Sequence, residues 1–241
     1  EAAALAEPFS TRLIDASTAH RTASDWVFGL PEMAMGQREA IAGATRVSNP
    51  GCWSTCAIAL IRPLVQAGLI DPAQALSISG ISGYSGGGKA MIAEFETGAA
   101  HGGFLYAASQ GHKHLPEITR HGLLSETPVF VPSVGQYAQG MAVAVHLPRL
   151  GAKGMAEAEE ALRAAYAGER FVGLVPATTH EPRVDPQRLN GTNRLDLSVH
   201  GNPKTGAATL IAVLDNLGKG ASGAAVQNLN LMLGLDEGAG L

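Results

Sequence analysis

Short runs of aliphatic and β-branched residues alternate along this chain with longer segments in which apolar residues recur every three or four positions. The first pattern is typical of strands and the second of amphipathic helices. Together they predict strands at residues 12–15, 76–81, 104–108, 129–131, 141–147, 171–175, 195–200 and 209–214. They predict helices at residues 36–44, 50–67, 89–95, 156–167 and 220–233. A strand-rich middle between two flanks of mixed character predicts an α/β plus α+β fold with two lobes.

Composition and charge narrow the classes of protein that fit this pattern. Because 46% of the residues are hydrophobic and 16% are charged, the chain can bury a core, which excludes a disordered protein. No apolar run approaches the roughly 18 residues of a membrane span, and a net charge of −4 offers no basic surface to nucleic acid. Two cysteines are too few for the disulfide framework of a small secreted protein, and no signal peptide precedes them. We therefore expect a cytoplasmic protein with small-molecule partners and no nucleic acid or membrane partner.

Cys52 stands where a nucleophilic cysteine is expected. It follows Pro50, which we predict at the first position of a helix, where proline is well tolerated. A helix N-terminus favours thiolate, and lowering the thiol pKa from about 8.5 to about 6 raises the ionised fraction at pH 7 from about 3% to about 90%. Cys56 lies one turn deeper among apolar residues and is predicted to belong to the core. A disulfide between the two is not expected, since their Cβ bonds point along one direction.

His112, His114 and Glu117 lie close together on a predicted loop. A cysteine nucleophile needs a base, and the base needs an orienting partner, so this segment supplies both roles. A metal site is a weaker interpretation, because the cysteines and histidines lack zinc-ligand spacing. A solvated polar loop without function is the other alternative.

Two glycine-rich segments are candidates for cofactor contacts. Residues 83–89 satisfy G-x-x-x-x-G-K between a predicted strand and a predicted helix, which is the context of a P-loop. Ala90 replaces the hydroxyl residue that would hold Mg²⁺, so ATP binding through Lys89 is not expected. Such a turn can still bind a phosphate, including that of a dinucleotide, or be a purely structural turn. The small residues at 218–225 permit close approach of another helix or of a planar cofactor ring.

Five segments resemble, in the same order, segments of one enzyme family: residues 14–21, 48–55, 82–88, 112–117 and 219–228. The family is N-acetyl-γ-glutamyl-phosphate reductase, the NADPH-dependent enzyme of arginine biosynthesis, and Ile14-Asp-Ala-Ser-Thr-Ala-His-Arg21 resembles its shorter subfamily. The resemblance extends from about Leu13 to Leu233. The family opens with a strand and a G-x-x-G-x-x-G turn that nothing before Ile14 matches, so we expect this chain to lack the family's first strands and helices.

The resemblance implies a remnant of a Rossmann-type NADP-binding domain joined to a catalytic and dimerisation domain like that of glyceraldehyde-3-phosphate dehydrogenase. The implied boundaries are residues 1–50 for the remaining dinucleotide-binding part and 51–217 for the α+β catalytic and oligomerisation domain. Residues 218–241 would form a C-terminal helix that returns to the first part. The implied cofactor is NADP(H), and the implied partners are an acyl phosphate substrate and further copies of the chain, as a dimer or tetramer.

The resemblance also implies catalytic roles. Cys52 would attack the γ-acyl phosphate, phosphate would leave, and the thioester would accept hydride from NADPH to give the semialdehyde. His114 and His112 are both candidates for the acid/base residue, with Glu117 as the orienting partner. Backbone N–H groups at the helix start, with Asn49, would hold the oxyanion.

The remaining implied residues bind ligands. The nicotinamide and phosphate side of NADP would contact Ser82, Gly83, Ser85, Gly86 and Asn228. The substrate carboxylate would meet Arg21 or Arg46. No metal is implied.

Three other functions are compatible with these residues. A related acyl-phosphate reductase of the aspartate-semialdehyde or aminoadipate type would share the mechanism and differ in the pocket. A dimerisation module without catalysis would need no cofactor, and a cysteine–histidine hydrolase would need no nucleotide. Phosphate-dependent reduction of NADP⁺ with N-acetylglutamate semialdehyde separates these functions.

Overall fold

A computed structural model describes residues 2–6 and 11–241 of the chain. The described helices are α1 (Ala2–Ala6), α2 (Gln37–Gly43), α3 (Cys52–Gln66), α4 (Gly88–Glu96), α5 (Leu115–His121), α6 (Gly151–Ala165) and α7 (Gly223–Leu233). The described strands are β1 (Leu13–Asp15), β2 (Val27–Phe28), β3 (Arg46–Ser48), β4 (Ser77–Gly83), β5 (Phe104–Leu105), β6 (Val129–Gly135), β7 (Met141–Leu147), β8 (Val172–Leu174), β9 (Leu195–Gly201) and β10 (Ala208–Leu214). Within these described ranges, no helix is long and apolar enough to cross a membrane.

The strands form a small sheet and a large one. The small sheet is parallel, in the order β1-β3-β2, and packs through Val47 against Ile41 of α2 and Met232 of α7. Short parallel strands need helices on their faces, which α2 and α7 supply. This part of the fold is a parallel α/β unit, as the predicted fold class requires.

The large sheet has seven strands in the order β5-β6-β4-β7-β10-β9-β8. The pairs β4–β6 and β8–β9 are parallel, and the other neighbours are antiparallel. Along β7, Met141, Val143 and Val145 are buried, while Ala142 and Ala144 between them are only half-buried. This alternation places one face under α3 and α6, while the other face is half-buried along β7 and is covered at β9, where Asp196 and Ser198 are buried.

Helix α3 connects the small sheet to the large one. Eleven of its fifteen residues are buried, among them Cys56, which confirms that this cysteine belongs to the core. Pro63 lies inside the helix, which continues to Gln66. The backbone N–H of Asn49 donates to Asp15 of β1, so the approach to α3 is fixed to the small sheet. The first turn of α3 therefore has a defined position at the junction.

Most predicted elements are present, and the differences have local causes. The two-residue and three-residue strands β2 and β3 are too short to show periodicity, and they were not predicted. The strand predicted at 104–108 ends at Leu105, because Ala107 has a left-handed backbone (φ 50°). The predicted strand at 129–131 extends to Gly135, because β6 pairs with β4 along its full length.

Two helix predictions also needed correction. Residues 115–121 were assigned to a loop but form α5, which Pro116 helps to start by its place in the first turn. The last helix does not begin at Gly220, because residues 218–222 form a π-helical turn before α7.

Candidate active site

A cavity of about 180 Å³ lies at the first turn of α3, where the loops that follow β1, β3, β4 and β10 meet. Six predicted site residues line this cavity: Arg21, Asn49, Cys52, Ser85, Gly86 and His114. The other six predicted site residues, His112, Glu117, Ser82, Gly83, Asn228 and Arg46, are not in its wall. Residues from distant parts of the chain thus converge on the cysteine that the sequence singled out.

Cys52 is the first residue of α3, and Gly51, with an extended backbone, is its N-cap. Pro50 therefore precedes the cap, and the prediction that it occupies the first helical position is wrong. The cap carbonyl of Gly51 accepts the first helical hydrogen bond, from the backbone N–H of Thr55 at 2.9 Å. Cys52 itself takes the helix-start position, closer to the positive end of the helix than the sequence suggested.

The Cys52 thiol is nevertheless protonated in the resting site. Its pKa is raised to about 11, mainly by burial and also by the charge of Glu117, and the backbone N–H of Trp53 and the charge of Arg21 oppose this rise only in part. One cause of the burial is Gly220, where an added Cβ would stand 2.7 Å from the Cβ of Cys52. The predicted pKa near 6 is wrong for this state, because loss of solvation outweighs the helix terminus. The thiol needs a proton acceptor before it can attack.

His114 is placed to accept a proton near Gly51. It is buried directly before α5, and a Cβ added to Gly51 would lie 2.4 Å from its Nε2. Burial, together with the charges of His112, Arg21 and Lys113, holds the pKa of His114 well below its ordinary value. Its ring is therefore neutral at pH 7 and retains a free lone pair for a proton.

His112 lies behind His114. The two rings meet edge to face with centroids 4.7 Å apart, and Nδ1 of His112 accepts the backbone N–H of His114 at 3.2 Å. Burial lowers the pKa of His112 to about 4. His112 thus positions the residue that reaches the cavity.

A buried ion pair fixes the geometry on the other side of Gly51. Arg21 NH1 donates to Glu117 Oε1 at 2.8 Å, and Glu117 Oε2 accepts the backbone N–H of Gly51 at 3.3 Å. Burial raises the pKa of Glu117, while the positive charge of Arg21 acts against that rise. Because Glu117 and His114 are both buried, the alternative of a solvated polar loop is wrong for these residues. Glu117 lies 3.9 Å from His114 Nε2, and its short contacts go to Arg21 and Gly51.

Asn49 and Asn228 form a buried pair of amides. Asn49 Nδ2 donates to the carbonyl of Ala221 at 2.9 Å, and Asn49 Oδ1 accepts from Asn228 Nδ2 at 3.2 Å. Asn228 also donates to the carbonyl of Gly29 at 2.8 Å and is fully buried. It therefore supports Asn49 from behind rather than facing the cavity.

The glycine-rich turn after β4 brings Ser85 and Gly86 to the cavity, with Ser82 behind them. Asn216 donates from Nδ2 to Ser85 Oγ at 2.9 Å, and an added Cβ at Gly86 would lie 3.0 Å from Ser82 Oγ. Gly83 packs against Ala138 instead, where a Cβ would stand 2.6 Å from that residue's carbonyl carbon.

The features that suggested a P-loop are placed elsewhere. Lys89 is exposed on α4 and does not line the cavity. Asp215, which follows an apolar strand as a metal-binding aspartate would, is buried and accepts hydrogen bonds from Gln139, Gly191 and Leu217. Its oxygens are engaged by protein donors.

The structure distinguishes between the two candidate arginines. Arg46 lies in β3 and pairs with Asp25 at 3.1 Å, away from the cavity, whereas Arg21 is in the cavity wall. Lys113 also lines the cavity and was missed, although its place between two histidines was a visible signal. Asn216 was missed because only the folded chain brings it to the cavity, whereas Gly220 belongs to the small-residue segment that the sequence indicated.

The sequence is similar to a known family and to named proteins. Residues 52–216 match the family described as semialdehyde dehydrogenase, dimerisation domain. Proteins named N-acetyl-gamma-glutamyl-phosphate reductase from Brucella ovis and Brucella abortus are 48% identical over 235 residues, covering 93% of this chain and 76% of each relative.

Solved structures share the fold. Aspartate semialdehyde dehydrogenase II from Vibrio cholerae aligns with a TM-score of 0.73 at 18% identity, covering 96% of this chain and 75% of that one. Aspartate semialdehyde dehydrogenase with NADP from Candida albicans aligns with a TM-score of 0.61 at 12% identity, covering 93% and 71%. The predicted fold class is confirmed by these matches.

Proposed function

The chain belongs to the N-acetyl-gamma-glutamyl-phosphate reductase family, and from that premise we propose that the cavity at Cys52 is the catalytic site for the family's reaction. The reaction reduces N-acetyl-γ-glutamyl phosphate to N-acetylglutamate 5-semialdehyde with NADPH and releases phosphate, as a step of arginine biosynthesis. The observation that carries the proposal is the convergence of a thiol, a neutral imidazole and a guanidinium on one cavity. A dimerisation module without catalysis has no use for this arrangement.

We propose that Cys52 is the nucleophile and His114 is its base. The neutral imidazole takes the thiol proton, sulfur attacks the acyl carbon, and the C–O bond to phosphate breaks to leave a thioester. The protonated imidazole then gives its proton to the oxygen that develops when the thioester is reduced. His114 is favoured over His112 because it lines the cavity and His112 does not.

Two cations, Arg21 and Lys113, and the backbone N–H groups at the start of α3 account for the charges of the substrate. Arg21 uses three of its five N–H donors on Glu117, Asn49 and Ala16, which leaves two for the substrate carboxylate. Lys113 supplies a mobile positive charge for the phosphate. The backbone N–H groups at the start of α3 face the developing oxyanion.

The wall opposite His114 fits the nicotinamide end of NADP(H), which supplies a hydride when it is bound. Gly86 and Ala221 have little or no side chain there, so a planar ring can approach this wall of the cavity closely. Ser85 and the backbone of the glycine-rich turn would hold the ring's polar groups. Ser82, Gly83 and Asn228 would shape this wall from behind.

We also propose the assembly and location of the enzyme. The division into residues 1–50, 51–217 and 218–241 is supported by the family match at 52–216. The half-buried face of the seven-stranded sheet along β4, β7 and β10 would form the contact in a dimer or tetramer. The cytoplasm is the proposed compartment, because a reducing environment keeps the free thiol of Cys52 reactive.

The substrate test compares two aldehydes. Full-length enzyme, NADP⁺ and phosphate should give NADPH with N-acetylglutamate semialdehyde and little with aspartate semialdehyde. A preference for aspartate semialdehyde would support the related reductase that shares the fold. Hydrolysis of an activated ester without any NADPH formation would support the cysteine–histidine hydrolase.

A further inference from the structure

The turn that encloses Cys52 is anchored by a fully buried lysine. Residues 218–222 form a π-helical turn, in which Gly220 and Ser222 donate backbone hydrogen bonds to the carbonyls of Asp215 and Leu217, five residues back. π-Helical turns are rare and occur mostly at functional sites. Lys219, in the middle of this turn, has no exposed surface.

The Lys219 ammonium binds groups from two other parts of the chain. Its Nζ donates to Glu32 Oε1 at 2.7 Å, to Glu32 Oε2 at 2.9 Å and to Gln227 Oε1 at 2.6 Å. Gln227 Nε2 in turn donates to Glu32 at 2.8 Å and to Glu237 at 2.6 Å. Because both carboxylate oxygens of Glu32 face one ammonium, the attraction between the opposite charges fixes the position of Lys219.

The residues next to Lys219 form part of the cavity wall. An added Cβ at Gly220 would stand 2.7 Å from the Cβ of Cys52, and the carbonyl of Ala221 holds the amide of Asn49 at 2.9 Å. A Cβ on Gly218 would stand 2.3 Å from the carbonyl oxygen of Thr192, so the turn is closely packed on that side as well. A shift of the turn would therefore move the wall beside the thiol and the amide together.

We propose that Lys219 is a positioning residue, which through its ion pair with Glu32 holds the π-helical turn against Cys52 and sets how enclosed and how reactive that thiol is. The proposed effect of Lys219 on turnover rests on the proposed function. The proposed effect of Lys219 on the reactivity of Cys52 is independent of that function, because alkylation of Cys52 requires no substrate or cofactor.

The test uses Lys219→Met, which keeps the length of the side chain and removes its charge. Iodoacetamide labelling of the full chain, with mapping of the labelled peptide, gives the rate at Cys52 as a function of pH. We expect the rate at pH 7 to rise about tenfold, with the midpoint of the profile moving to lower pH, because the loosened turn admits water to the thiol. Turnover by the full-length enzyme should fall about 10²-fold, because the site loses its alignment.

Opposite changes in alkylation and turnover separate positioning from plain destabilisation. Asp196→Asn is the matched control, since Asp196 is a buried carboxylate of β9 that pairs with Arg188 at 3.0 Å and with Arg194 at 3.1 Å. It should leave alkylation per folded molecule unchanged. If Lys219→Met does not fold, the double variant Lys219→Met/Glu32→Gln removes the unpaired charge and should still alkylate fast.

Two outcomes overturn the proposal. One is an unchanged alkylation profile in both Lys219 variants. The other is recovery of the original profile in the double variant, which would mean that the ion pair contributes only to stability. If alkylation is altered but the enzyme has no reductase activity, the positioning role of the Lys219–Glu32 ion pair is supported and only the proposed function is refuted.

Discussion

The two cysteines are the simplest pair on which to test the site. Cys52→Ser should abolish turnover, because a serine hydroxyl is a far weaker nucleophile than a thiol. Of the two cysteines, Cys52 lines the cavity and Cys56 does not. Cys56→Ala should keep most of the turnover and cost about 1 kcal/mol of unfolding free energy, because it removes a small, fully buried side chain. Steady-state assays and stoichiometric alkylation with peptide mapping check both. Labelling mainly at Cys56, with loss of activity, would contradict the assignment.

The histidines make a second matched pair. His114→Asn should lower turnover by about 10² to 10⁴, the usual range for a positioned acid/base residue, and slow alkylation of Cys52. His112→Asn should reduce turnover less, because His112 acts through the backbone and ring of His114. Equal and nearly unchanged turnover in both variants would refute the proposed role of this segment.

At the residue scale, the sequence predicted the site residues that lie in recognisable motifs. It did not predict contacts between residues that are far apart along the chain. Cys52, His114 and Arg21 were predicted from motifs and do share a cavity. Lys219 and Glu32 stand 187 positions apart, and a buried lysine has no local signature, so their ion pair was not foreseen. The resting pKa of Cys52 was mispredicted because burial depends on Gly220, which only the folded chain brings near.

At the scale of elements, the contact between the π-helical turn and α3 has no room for an added side-chain atom at Gly220. Gly220→Ala should lower turnover at least about tenfold and cost about 1 to 3 kcal/mol of stability, because its Cβ would overlap Cys52. Gly43→Ala in α2 is the control, since nothing lies within 4 Å of an added Cβ there. Thermal unfolding and turnover measured on both variants test this, and a Gly220→Ala enzyme with ordinary kinetics would contradict it.

The entry to α5 also gives the protein a pH-dependent stability. The folded pKa of His112 is about 4, below the unfolded value near 6.5, so the unfolded chain binds more protons between these pH values. Its contribution is present above pH 6.5 and is lost as pH falls towards 4. His112→Asn should reduce the fall in unfolding free energy over this window by about 2 to 3 kcal/mol. Denaturant unfolding at pH 7 and pH 4 measures it, and parallel losses in both proteins would refute it.

Long elements with a clear period were predicted well, whereas the shortest ones depend on partners. β7 was predicted residue for residue, because its alternation reflects one buried and one half-buried face. β3 has only three residues and exists because it pairs with both β1 and β2. Helix α5 was not predicted, because its seven residues are too few to show a clear period, although Pro116 stands in its first turn.

At the scale of the whole molecule, the edge of the small sheet affects association and cofactor binding. Within the described residues β1 is an edge strand of the small sheet, and beside it lies a cavity of about 420 Å³ lined in part by Ile14, Val226 and Leu229. An open edge next to apolar surface favours association. In the family resemblance, a G-x-x-G-x-x-G turn grips the pyrophosphate of the dinucleotide, and residues 1–13 contain no such turn.

We therefore expect a segment made only of residues 1–241 to bind NADPH weakly, to be nearly inactive and to be less soluble than the same segment joined to the family's opening strand and turn. Losing the pyrophosphate and adenine contacts should weaken binding by several kcal/mol, and each 1.4 kcal/mol, roughly, is a factor of ten in affinity. Calorimetric titration of both chains with NADPH, with light scattering for association, measures the two effects separately. Equal affinity would mean that the contacts around Ser85, Gly86 and Ala221 suffice for the cofactor, and that the family's opening turn is dispensable in this protein.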